Sequence, residues 1–120
     1  MEALGRMAPL VGALLDAATL RHRVVAENLA NSETPGYRAR GVRFDEALER
    51  AVAGGDVDAA EGAHAELFDR GGRVKSDGND VDLEVEVGEM NRNALAYQTL
   101  LQVASGKQRL MRAAVAGRSG

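Results

Sequence analysis

The side chains best suited to chemistry in this 120-residue chain gather in one run, Asp77-Gly78-Asn79-Asp80-Val81-Asp82-Leu83-Glu84, with Glu86 just beyond. Alternating Asp and Asn suggests a calcium loop, but an EF-hand needs Gly at its sixth position and Glu at its twelfth. Those positions hold Asp82 and Gly88. The run therefore reads as a turn entering the acidic N-terminus of a helix, its carboxylates forming a solvated face. His22 sits among apolar residues and His64 stands in an acidic stretch, neither with a partner group visible in sequence. Each is read as a packed or exposed histidine rather than a ligand or general base. There is no Cys, which removes thiol nucleophiles, disulfides and Cys-based zinc sites. No Ser occupies a Gly-x-Ser-x-Gly elbow, and Gly71-Gly72-Arg73-Val74-Lys75-Ser76 lacks the spacing of a phosphate loop. The expectation is a chain that is not an enzyme, with no catalytic residue, cofactor or metal.

A second informative run is Asn28-Leu29-Ala30-Asn31-Ser32-Glu33-Thr34-Pro35-Gly36-Tyr37-Arg38-Ala39. Asn tolerates the left-handed conformation that ends many helices, so Asn31 is the expected helix stop. Pro35 drives Thr34 out of the helical region, and Pro-Gly specifies a type II turn with Gly36 at positive φ. Tyr37 then leaves a tight corner able to cover apolar surface and still hydrogen-bond through its hydroxyl.

The elements that position these runs are helical. Leu4, Ala8, Val11, Leu15, Ala18, His22, Val25 and Leu29 alternate spacings of four and three, a heptad seam broadened by Leu10, Leu14 and Val24. Pro9 is expected in the first turn, where its missing N–H costs nothing. A longer seam joins Leu83, Val87, Met90, Ala94, Tyr97, Leu101, Ala104, Gln108, Met111 and Val115. Val81, Leu83, Val85 and Val87 also alternate like a strand, but the sustained heptad register favours a helix from about residue 82. Between the helices, residues 42–44 are read as extended, and Asp45 as the cap of a short helix carrying Leu48, Ala51 and Val52. Glycines then recur through residues 54–80, which are read as a flexible or poorly packed loop. The resulting fold class is mainly α. N- and C-terminal helices (1–33 and 82–120) pair as a coiled coil around an irregular, acidic middle (34–81) with room for a small β element.

Both runs resemble the signatures of bacterial flagellar basal-body rod proteins, most nearly those of the proximal rod. The first signature is carried by Asn28, Ala30, Asn31, Thr34, Pro35, Gly36 and Tyr37 through Arg38, and continues to Phe44. The second is carried by Asp77, Gly78, Asn79, Val81, Asp82 and Leu83, with Asp80 where the family has a second Asn, and runs on to Glu86, Met90, Asn93, Tyr97 and Gln98. Glu27 is unusual just inside the first signature. The resemblance implies a structural subunit that assembles helically with copies of itself and with other rod and basal-body proteins into a torque-transmitting drive shaft. It also implies passage through the flagellar type III export apparatus to a periplasmic rod, without a cleaved signal peptide.

Composition fits that reading. Leu, Val and Phe make up only about 22% of the chain, close to the ~20% below which chains tend to disorder. Residues 1–40 carry net charge +1, residues 41–90 carry −9 and residues 91–120 carry +5. The acidic total argues against nucleic-acid binding, and no apolar run reaches membrane-spanning length. An alternative from another class is a soluble helical adaptor or regulator that binds a partner through its heptad helices.

Overall fold

A computed structural model describes residues 2–55, 57–60 and 62–119. Helix α1 spans Glu2–Ala30, strand β1 Arg40–Phe44, helix α2 Glu46–Ala53, strand β2 Ala65–Asp69 and helix α3 Leu83–Ser119, with a 3-10 turn at Val57–Ala60. The molecule measures 69 × 25 × 16 Å. The fold is mainly α, with long terminal helices paired to each other and a two-stranded sheet between them in sequence.

The helix pair runs antiparallel, since Asn28 on α1 bonds Glu86 on α3 while Ala18 bonds Asn93. Small residues permit the close approach: Ala17, Ala18, Val24 and Val25 are buried on α1. At about 1.5 Å per residue, α3 runs on about ten residues beyond the start of α1. Pro9 lies inside α1 rather than in its first turn. The helix begins well before it and gives up one backbone hydrogen bond there.

The contact face of α3 differs from its apolar heptad seam. The helix turns Glu86, Met90 and Asn93 toward α1, whereas Leu83, Val87 and Leu101 are exposed. The contact face follows Glu86 and Asn93, which bond to Asn28 and to Ala18 O across the helix pair. The strand alternative for 81–87 is not realised. Asp82 caps α3 through its carboxylate, which accepts from Glu84 N at 3.0 Å and Val85 N at 3.4 Å.

Residues 54–80 are not a loop throughout. β1 and β2 pair antiparallel, with Gly41 opposite Phe68 and Val42 opposite Leu67. Gly41 makes this possible, because a Cβ there would lie 2.8 Å from the Phe68 ring. The Arg43 guanidinium lies over the Phe68 ring, 5.4 Å from its centroid. Asp45 caps α2 by accepting from Leu48 N at 2.8 Å, and Leu48 and Ala51 are fully buried beneath it, while Val52 faces outward. The glycine-rich composition hid a strand whose stability comes from its partner 25 residues earlier.

Candidate functional site

The two informative runs, nearly 40 residues apart in sequence, meet in space. In the first, Thr34 O accepts from Tyr37 N at 3.2 Å, and Gly36 has φ 77°. A positive φ confined to the third turn residue identifies type II geometry. In the second, Lys75 O accepts from Gly78 N at 2.9 Å, and Gly78 has φ 84°. The turns are stacked glycine on glycine, and Gly36 N donates to Asp77 O at 2.9 Å.

Asn79 locks this contact. Its side-chain amide donates to Asn31 O and Thr34 O, each at 2.8 Å, while its Oδ1 accepts from Val81 N at 2.8 Å. One fully buried side chain thus ties the α1 exit to the α3 entry. Asn31 is not left-handed: no described residue other than glycine has positive φ. Its side-chain amide instead donates to Glu27 O at 2.8 Å, beside its own backbone N–H at 3.1 Å, so the last turn is closed by both donors of one residue. Thr34 Oγ1 then donates to Asn31 Oδ1 at 3.1 Å.

Below the turns lies a second buried network, centred on Asn28. Its Nδ2 donates to Arg40 O at 2.8 Å and to Glu86 Oε2 at 3.1 Å. Its Oδ1 accepts from Tyr37 Oη at 3.0 Å and from Arg40 N at 3.1 Å. That uses both donors and both acceptor sites of one amide. Glu86, fully buried, receives Arg70 on its other oxygen, and Arg70 also donates to Arg40 O at 3.1 Å. A buried carboxylate is tolerated only with such partners. The helix pair, the β1 start and the β2 end are therefore fastened at one point.

Most of the sequence-derived residues converge here: Asn28, Asn31, Thr34, Pro35, Gly36, Tyr37, Asp77, Gly78, Asn79, Val81, Asp82 and Glu86. Ala30 and Leu83 lie at the junction's edge with exposed side chains. Phe44 stands apart at the far end of β1, where Arg21 lies 5.9 Å from its ring. Met90, Asn93, Tyr97 and Gln98 continue along α3, and the last three line a shallow cleft with Ala18, Thr19 and His22. Asn93 donates to Ala18 O at 2.8 Å while its buried Oδ1 has no protein partner.

Sequence reasoning missed Arg70, Arg40 and Ala39. Two signals pointed toward them. Glu27, out of place in the signature, is paired with Arg40 at 2.5 Å. Asp80, the departure from Asn, accepts from Ala39 N at 2.5 Å and lies 3.6 Å from Arg38. His64 has a partner after all: its ring Nδ1 is 2.9 Å from Asp45 Oδ2. Among the described residues no cluster of three metal-ligating side chains occurs, and no helix is long and apolar enough to cross a membrane.

No family model matches the chain. It is 34% identical over 105 residues to the flagellar basal body rod protein FlgB of Aeromonas hydrophila, covering 78% of this chain and 80% of that protein. It is 31% identical over 108 residues to the FlgB of Aquifex aeolicus, covering 82% and 84%. The FlgB of Bacillus subtilis is 25% identical over 113 residues, covering 86% and 88%.

Proposed function

This chain belongs to the flagellar basal body rod protein FlgB family, and from that premise we propose that it is a self-assembling subunit of the proximal rod. In this reading its copies, together with other rod and basal-body proteins, form a helical shaft that carries motor torque. It reaches the periplasmic side of the basal body through the flagellar type III export apparatus, without a cleaved signal peptide. It performs no catalysis and holds no cofactor.

The observation that carries this reading is the junction. A torque-bearing subunit must transmit force between its helix pair and its body without a soft hinge. The Gly36–Gly78 stack, the Asn79 bonds and the Asn28–Glu86–Arg70 network fasten α1, α3 and both strands together. The exposed apolar seam of α3, with Leu83, Val87 and Leu101 uncovered, provides surface for neighbouring subunits. Deleting the gene in its host and restoring it on a plasmid tests the assignment. Loss of motility with hook and filament absent, reversed by complementation, supports it; normal flagella in the deletion strain overturn it.

A further inference from the structure

The two ends of this molecule are complementary. Residues 41–90 carry fourteen acidic and five basic groups, and residues 91–120 carry five basic groups and none acidic. Because α3 is one continuous helix, Arg109 and Arg112 are carried away from the acidic body, while Arg92 stays beside it and pairs with Glu89 at 2.7 Å. Where α3 leaves the body, a groove opens between the segment Gly72–Ser76 and the first turns of the helix. Three of its apolar side chains are uncovered: Val74 is 44% exposed, Leu83 54% and Val85 41%. Asp82 and Glu84 lie exposed among them. At the other end, Arg109 and Arg112 are exposed on successive turns of α3.

We propose that this groove receives the basic C-terminal turns of α3 from a second copy of the chain, giving head-to-tail association. Charge and length select this occupant. Arg109 lies 26 residues from Leu83, or about 39 Å along a rigid helix, so no chain can fill its own groove. Arg73 and Lys75 on one wall set the orientation, leaving the Asp82–Glu84 side for the incoming arginines. The contact joins unlike surfaces, so it repeats without closing and yields a linear array. This inference rests on the rod reading and specifies the contact by which copies meet.

The test is sedimentation velocity of the full chain over a concentration series, at about 0.02 M and about 0.5 M NaCl, where screening lengths differ several-fold. Wild type is expected to associate at low salt and to dissociate at high salt. R109E/R112E, two exposed helix positions, is expected to weaken self-association by roughly tenfold with unchanged circular dichroism. E84K alone is expected to weaken it by a few-fold. Mixing R109E/R112E with E84K is expected to restore association, because the reversed tail now meets a reversed groove. A monomeric wild type at low salt, association indifferent to salt and to R109E/R112E, or a mixture no tighter than its parts overturns the contact. None of these outcomes bears on whether deletion abolishes flagella, so this contact can fail while the rod reading stands.

Discussion

Gly78 faces Gly36 so closely that a Cβ on Gly78 would lie 3.2 Å from the Gly36 Cα and 3.5 Å from its nitrogen. The two turns pack backbone to backbone because Gly78 lacks a side chain there, whereas the Cβ position of Gly36 points into open space. Each glycine also holds a positive φ that L residues adopt at a cost of about 1–2 kcal/mol.

Gly78→Val combines that conformational cost with a steric one, so it is expected to loosen the junction while leaving the helices formed. Thermal unfolding by circular dichroism should show a lower Tm and a helical signal close to wild type at low temperature. Hydrogen exchange at Gly36 N and Asp80 N, which bond across the junction, should rise. Gly36→Val has open space around its Cβ, so it should cost less stability than Gly78→Val, its φ strain alone.

The turns themselves were legible in sequence, since Pro35-Gly36 and the glycine of Asp77-Gly78 constrain local backbone directly. That the two turns touch was not, because nothing local encodes contact across 42 residues. Asn28 shows the same limit. Its place at the end of a heptad helix marks it as terminal, but its four bonds go to groups brought by β1, Tyr37 and α3. The strand β2 escaped for a related reason: Gly41 gives no strand signal of its own and is explained only by Phe68 lying across it. On α3 the periodicity was right and the facing was off, since a hydrophobic pattern does not say whether its partner lies in the same molecule.

Glu86 and Arg70 form a buried ion pair that should reveal itself by asymmetry. Glu86→Ala strands a partly buried guanidinium and removes a partner of Asn28, and is expected to cost about 3–5 kcal/mol in chemical denaturation. Glu86→Gln keeps an acceptor for Asn28 and fills the same space, so it should cost clearly less. Equal losses in the two variants would mean that the charge alone carries the stabilisation, with nothing added by the space filled or by the acceptor for Asn28.

Asp45 connects α2 to the loop carrying His64. The Leu48 N–H bond, working against partial burial, and then the His64 N–H and ring and Arg50 hold its carboxyl below the usual carboxylate range. Because the folded-state value is depressed, the cap's contribution is complete above the unfolded value of about 3.9 and disappears as pH falls through the lower folded one. An NMR titration should therefore show the Leu48 amide shifting with a midpoint below that of an unperturbed aspartate. Asp45→Ala should lower stability at neutral pH and abolish that titration.

The most direct measurement for the account as a whole is recovery of the chain with purified basal bodies from its host, wild type beside Gly78→Val. The account predicts that the wild-type chain is recovered in the rod at its inner-membrane end, and that the Gly78→Val chain is produced yet depleted from that fraction. Basal bodies whose rods lack the wild-type chain would contradict it.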